Sequence, residues 1–447
     1  MQVVKKAVLI ASDKSGSGKS LFTIFLSRYF TLNQKSVLPF KCGPDYIDTL
    51  HLKYATGNNA YNLDTVLINK EKLKHNFLLK LNSYDMAIIE GVMGFYDGID
   101  YKTFAGSTYE VAKLLNLPVL FILDASSTSF TIASRIKGLI SLGGNINVAG
   151  VVLNNVGSKK HEKMLINAIE YHTDLKVFGA IPKMKDLVLL SRHLGIYTAF
   201  EVEENLYDNI VNTFLNYVDV EKIFENIDYI YDEVAIENKT KTKDKKAYIA
   251  FDEAFNFYYQ DNIDFLEENG FQVINFSPLK DELPENPDFI YFGGGYPELY
   301  AEQLSKNNKL KNYIKEASKK GVPILAECGG MMFLSNGIKV KNEFFEMCKV
   351  FDVNVEMTEK RQALGYVDIT SLKHTDLFEE GENFIGHEFH YSKIKECNED
   401  YVFKIKKITD NSVNYDGFVK FKTLASYTHF HFLSDNCIIK NIIRGGC

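Results

Sequence analysis

Cysteine is sparse and unpatterned in this chain. The six cysteines, Cys42, Cys328, Cys348, Cys397, Cys437 and Cys447, include no CxxC pair. That spacing excludes a zinc ribbon and a disulfide framework and fits a reducing, cytoplasmic setting. Long apolar runs are also lacking. After Lys5 and Lys6 the apolar stretch covers only Ala7–Ala11, too short for a signal peptide or a membrane span. An excess of positive charge is missing too. With 51 Lys and Arg against 58 Asp and Glu, the net charge is −7, which argues against a general nucleic-acid binder. Tryptophan is absent, and with abundant Lys, Asn, Tyr and Phe this is the composition of an AT-rich genome. What remains is ordinary for soluble globular proteins: 46% apolar and 24% charged residues, over a 447-residue length that calls for two or three domains.

The first half alternates short Val-, Ile- and Leu-rich runs with helix-length segments. Ala7–Ala11, Ser36–Phe40, Met86–Glu90, Val119–Asp124, Val148–Asn154 and Val177–Ile181 are expected as buried parallel strands of an α/β sheet. Three of them end on a polar residue, Glu90, Asp124 and Asn154, at the carboxyl ends where such sheets bind ligands. The ten residues Glu237–Lys246 contain no apolar side chain and are expected to be a solvated linker between a domain at 1–236 and another at 247–447. A second α/β pattern follows, with strands expected at Tyr248–Phe251, Val273–Phe276, Phe289–Phe292 and Pro323–Ala326 and β-rich runs at Phe384–Tyr391 and Val419–Tyr427.

The first strand leads into Ser15-Gly16-Ser17-Gly18-Lys19-Ser20 and then the apolar stretch Leu21–Phe30. Strand, glycine-rich loop and helix in that order make a phosphate-binding loop. Ser15, Gly16 and Gly18 would present backbone amides to ATP, Lys19 would reach the outer phosphates, and Ser20 would ligate Mg²⁺. Asp13 stands where the usual pattern begins with glycine, and Lys14 suggests a variant loop with an extra lysine. Asp45 and Asp48 flank a turn after the second strand, and Glu90 ends the third; they are candidates for the metal and substrate side of the site. Asn154 is a candidate for the adenine edge, and Arg192 for a carboxylate or phosphate.

Near the other end, Ile324-Leu325-Ala326-Glu327-Cys328-Gly329-Gly330 places a thiol on a tight turn at a strand end. Gly329 and Gly330 allow the turn and offer N–H groups to an oxyanion, and the run Gly293-Gly294-Gly295-Tyr296-Pro297-Glu298 offers more. A thiol needs a base to act as a nucleophile. Ala425–His431 supplies His429 and His431, which share one face if the segment is extended. Gly386-His387-Glu388-Phe389-His390-Tyr391 is one residue short of HExxH and is read as strand, facing substrate or packing, and not as a zinc site.

With these residues in place, the chain resembles the cobyrinic acid a,c-diamide synthases over almost its whole length. The motifs that carry the resemblance run in order: Lys41–Asp48, Glu90–Gly94, Asp124–Ser127, Arg192–Gly195, Ala254–Tyr259, Gly293–Glu298, Ala326–Gly330, Gly386–Ser392 and Ser426–His431. The resemblance implies a dethiobiotin-synthetase-like P-loop domain followed by a class-I-like glutamine amidotransferase domain. It also implies that Cys328, with His429, releases ammonia from glutamine. ATP and Mg²⁺ would then activate the a- and c-acetate carboxylates of a cobyrinate-type tetrapyrrole as acyl phosphates. Carried over, Ser20, Asp45 and Glu90 would serve the metal, Asp48, Asp97 and Arg192 the substrate, and Gly294, Gly295 and Gly329 the oxyanion hole. Many class-I amidotransferases have Glu two residues after the catalytic histidine; here His431 stands there, so a Cys328–His429 dyad is the expectation. The partners implied are small molecules, with no nucleic acid and no membrane, and a homodimer is left open. Ni-sirohydrochlorin and hydrogenobyrinic acid stay open as substrates, as do a partitioning-type ATPase switch and a thiol hydrolase with a vestigial nucleotide domain.

Overall fold

The computed structural model describes residues 2–184, 191–192, 195–196, 205–235, 242–280, 282–434, 439 and 441, with backbone alone at 191–192 and 195–196. The chain divides into two compact units. One comprises Met1–Thr65 and Asn69–Glu237, the other Val66–Ile68 and Asn238–Cys447.

The first unit is built on an eight-stranded sheet. Its seven parallel strands run in the spatial order Tyr61–Leu63, Val37–Cys42, Met86–Glu90, Gln2–Ala11, Val119–Asp124, Val148–Val156 and Val177–Pro182. Ala7 to Ala11 and Val119 to Leu123 have no exposed surface. Both faces are covered, and for this reason these strands read as continuous apolar runs without alternation. Asp228–Asp232 pairs antiparallel with Gln2–Lys6. Its burial alternates along the strand, so it lacks the continuous apolar run that marks the other strands. The helix Lys19–Leu32 is held down by aromatic packing, with Phe25 5.2 Å from Phe214 between ring centroids. That anchoring fixes the glycine-rich loop at its N-terminus.

The second unit has a six-stranded sheet in the order Phe271–Phe276, Lys245–Ala250, Phe289–Phe292, Ile324–Glu327, Thr423–Ser426 and Phe418–Lys420. All neighbours are parallel except the last pair. The β-rich run Val419–Tyr427 is a hairpin whose arms are Phe418–Lys420 and Thr423–Ser426. Phe421 sits at positive φ (53°) in its turn. Of the proposed linker, 237–241 lie outside the described residues, while Lys245 and Lys246 already pair with Phe271 and Gln272. Two four-stranded sheets complete the unit, one of them including Asn383–His390. Among the described residues no helix is long and apolar enough to cross a membrane.

Candidate functional site

The glycine-rich loop ends on Gly18 at φ 100°, a left-handed conformation that favours glycine. A Cβ there would also sit 2.4 Å from the Asn154 amide nitrogen. No side chain caps the helix Lys19–Leu32 and no acidic residue lies in its first turn, so its N-terminus suits an anion. Beside it opens a cavity of about 530 Å³ lined by Ser15, Gly16, Gly18, Lys19, Ser20, Lys41, Asp45, Asp48, Glu90 and Asn154, among others. The Lys19 ammonium donates to the carbonyls of Met93 (2.6 Å) and Lys14 (3.1 Å). Burial, then the charge of Lys41, lowers its pKa to about 8.

Lys41 is the residue that sequence reasoning passed over. It is the penultimate residue of the strand Val37–Cys42, is 5% exposed, and donates to Asp48 Oδ2 (2.6 Å) and Glu90 Oε1 (2.7 Å). Burial disfavours its charge, but the two carboxylates outweigh burial and keep it protonated. Asp48 is held below the usual carboxylate range because Lys41 overcomes burial. Burial and then the Asp48 charge push Glu90 up, and they push Asp45 up in the same way. The signal was available: a lysine at the end of an apolar strand is buried only with partners.

The Ser20 hydroxyl donates to Glu90 Oε1 at 2.6 Å, which puts two of the expected metal ligands side by side. Asp45 Oδ1 accepts the amides of Ile47 (2.9 Å) and Asp48 (2.8 Å), so it also caps the helix Ile47–Thr56. Hard oxygen donors next to a phosphate loop are a set that suits Mg²⁺, which takes one or two carboxylates together with phosphate oxygens. No group of three His, Cys, Asp or Glu among the described residues is arranged to hold a metal alone. Two expectations change. Asp97 does not line the cavity; its carboxylate accepts the Gly94 amide (2.8 Å) and shapes its own loop. Asn154 lines the cavity, but its amide is engaged with the Ser17 carbonyl (2.9 Å), bracing the loop. Lys14 pairs with Asp124 (2.8 Å), and Asp13 pairs with Arg135. Burial opposes the charge on Asp124, yet Lys14, the Ser126 amide and Asn155 hold it well below the usual range. Arg192 lies in a two-residue strand paired with Gly195–Ile196, and its side chain is outside the described residues, as are His193 and Leu194.

At the thiol end, Cys328 follows the strand Ile324–Glu327 at φ 48° and ψ −103°, a strained turn for a residue with a Cβ. Its amide donates to Ser426 O (2.7 Å) on the neighbouring strand. The helix Gly329–Leu334 starts at once and is seated by Phe333 against Phe292 (5.4 Å between centroids). Burial, then the Glu298 charge, pushes the Cys328 thiol up, so it needs a base to ionise. A Cβ on Gly330 would fall 2.4 Å from Phe292 O, and its amide donates to Gly293 O (3.0 Å). Gly330 is therefore committed to holding the turn and is not an oxyanion donor. Gly295 N lies 3.2 Å from where a Cβ on Gly329 would stand, so these two candidates share one corner.

The segment after Ser426 is not extended. The strand stops there, and His429 and His431 part company. The His431 ring packs on Tyr259 (4.6 Å between centroids), with Nε2 3.7 Å from Asp261. The His429 ring lies against the Gly293–Gly295 loop, where a Cβ on Gly294 would come within 2.6 Å of Cε1 and 3.2 Å of Nε2. His429 and His387 exchange backbone hydrogen bonds (2.8 and 3.1 Å), which aligns the strand Asn383–His390 with this loop. On the same strand, Phe389 O accepts from Cys328 Sγ at 3.6 Å. His387 is kept neutral, its pKa lowered to about 3 by burial and then by His429. No carboxylate stands two residues after His429, but Glu327 Oε2 is 3.5 Å from His429 Nδ1.

Residues 8–195 match the family described as CobQ/CobB/MinD/ParA nucleotide binding domain, and residues 246–437 the CobB/CobQ-like glutamine amidotransferase domain. A protein of Caldanaerobacter subterraneus subsp. tengcongensis named cobyrinate a,c-diamide synthase is 41% identical over 95% of this chain and 95% of its own length. One of the same name from Saccharolobus solfataricus is 38% identical over 96% of this chain and 98% of its own. The chain belongs to the cobyrinate a,c-diamide synthase family. Membership makes it an enzyme with an α/β nucleotide-binding domain and a glutamine amidotransferase domain, and the two clusters above each fall within one of the matched regions.

Proposed function

We propose that the enzyme amidates the a- and c-acetate carboxylates of a cobyrinate-type tetrapyrrole, drawing nitrogen from glutamine and energy from ATP. The observation that carries this reading is the full-length similarity to relatives named for that reaction, with both reactive clusters present in one chain.

In the proposed glutaminase step, His429 takes the thiol proton and Cys328 Sγ attacks the side-chain amide carbon of glutamine. The oxygen's developing charge is met by the amides around Gly294, Gly295 and Gly329. The carbon–nitrogen bond breaks as His429 returns the proton, releasing ammonia, and water then cleaves the thioester to glutamate. At the nucleotide end, Lys19 and the loop amides hold the triphosphate. A substrate carboxylate oxygen takes the γ-phosphoryl group, giving ADP and an acyl phosphate. Ammonia adds to that carbonyl carbon, the carbon–oxygen bond to phosphate breaks, and the amide forms with loss of a proton. Lys41 is placed to offset the negative charge that gathers there. Ser20, Glu90 and Asp45 would hold Mg²⁺, which supplies charge neutralisation on the phosphate oxygens when bound. Asp48, tied to Lys41 and lining the same cavity, would serve the substrate.

The test offers the purified enzyme cobyrinate, hydrogenobyrinate and Ni-sirohydrochlorin in separate reactions with ATP and glutamine and reads product mass. A gain of two amide groups on cobyrinate is expected. Amidation confined to another macrocycle would replace the substrate, and ATP turnover with no amidation of any would overturn the reading.

A further inference from the structure

The strand Ile324–Glu327 lies inside the second unit, and its alternate side chains face opposite layers. Leu325 packs in the layer that holds Tyr291, Phe430 and Phe432. Glu327 points the same way by alternation and is 1% exposed. A carboxylate in such surroundings is costly unless its oxygens are satisfied. Here Oε1 accepts the Phe430 amide (3.0 Å), and Oε2 accepts the Tyr291 hydroxyl (2.8 Å) and lies 3.5 Å from His429 Nδ1.

Three other acids of this region face other partners. Asp416 accepts the amides of Tyr427 and Thr428 (3.0 Å each), Asp261 faces His431 (3.7 Å), and Glu388 faces His390 (3.8 Å). Beside His429 stands His387, kept neutral by burial and then by His429. Asn262 clamps the loop from the helix Gln260–Glu268, accepting the Phe432 amide (2.7 Å) and donating to Phe430 O (2.8 Å). Glu327 and Asn262 thus fix the backbone on both sides of the residue that follows His429.

We infer that Glu327, the residue immediately before the nucleophile, is the positioning carboxylate of His429. It holds Nδ1–H toward itself and leaves Nε2, on the Gly294 side, to exchange the proton with Cys328. The 3.5 Å gap closes to a charge-assisted hydrogen bond when His429 accepts the proton, because an imidazolium draws on a carboxylate more strongly than a neutral ring does. This rests on the glutaminase reading of Cys328 and His429. The fold thereby replaces the carboxylate two residues after the histidine, where His431 stands, with one from the adjacent strand.

The experiment compares Glu327→Gln with Cys328→Ala in the full-length protein. Glutamine is uncharged at its amide but can still accept the Phe430 amide. The expected result is glutaminase kcat lowered roughly 100-fold, KM for glutamine within about twofold, and ammonia-dependent amidation unchanged. Unchanged kcat would overturn the inference, and so would a rise in KM matching the fall in kcat, which marks a structural role. If Cys328→Ala retains glutaminase activity, the underlying reading fails instead. A second measurement needs no variant at Glu327. In ¹⁵N-histidine spectra of the native protein, with His429→Asn to assign the signal, the Nδ1-protonated tautomer is expected, and the Nε2-protonated tautomer overturns the inference.

Discussion

The two reactive ends solve opposite problems. The nucleotide end gathers Lys19, Lys41, Asp45, Asp48 and Glu90 around a cavity of about 530 Å³. Its charges neutralise one another at contacts such as Lys41–Asp48 (2.6 Å) and Lys41–Glu90 (2.7 Å). The thiol end is closed, with Cys328 at 5% exposure and His429 and Glu327 at 1% each. On the proposed reading the first site takes a bulky, highly charged triphosphate with a metal ion, and it keeps room and counter-charge for them. On the same reading the second takes a small, neutral side-chain amide, for which a buried nucleophile with a base suffices. The first spends its polar residues on electrostatic balance, the second on geometry.

The contrast predicts separable losses. Cys328→Ala is expected to lower glutaminase by at least about 10⁴-fold while ammonia-dependent amidation persists; assays with glutamine and with ammonium salt side by side check it, and loss of both from a folded protein would break the division. Lys41→Met leaves two buried carboxylates facing each other, for an expected destabilisation of about 3–5 kcal/mol in urea unfolding together with loss of amidation. A stability within about 1 kcal/mol of the native value would mean that water or relaxation compensates the charges, and the account of mutually neutralising charges at this cavity would fail. Gly294→Ala would drive a methyl into the His429 ring, where the nearest atom stands 2.6 Å away. Glutaminase is expected to fall about 100-fold, as when one oxyanion donor is lost, with the nucleotide end untouched; full activity would place the catalytic ring elsewhere. The smallest effect is kinetic. Because burial raises the Cys328 pKa, alkylation by iodoacetamide, with Cys328→Ala as blank, is expected to accelerate about tenfold per pH unit between pH 7 and 9. A rate already flat at pH 7 would reveal a preformed thiolate and narrow the difference between the two ends.

How much of this was legible in sequence differs between the ends for the same reason. The phosphate loop is contiguous: strand, glycines, lysine and helix follow one another, so Ser15 to Ser20 declare themselves. Lys41 did not, since its meaning depends on Asp48 from the following turn and Glu90 from a neighbouring strand. Asp97 entered only through the resemblance, and it turns inward to its own loop. At the thiol end the Cys-Gly-Gly turn was plain, and so was a downstream histidine. The choice of His429 over His431 came only with the family resemblance, and the commitment of Gly330 to the turn and the approach of Glu327 to His429 were not legible at all.

The sequence by itself determined two α/β halves, a phosphate loop and a cysteine on a tight turn, because each of these is a local conformational preference written in consecutive residues. Only the tertiary structure decided which charges share a cavity and which carboxylate meets the histidine. Those contacts join Lys41 to Glu90 across 49 residues and Glu327 to Phe430 across 103, and they are set by strand order and by the satisfaction of buried polar groups, not by any run of neighbouring residues.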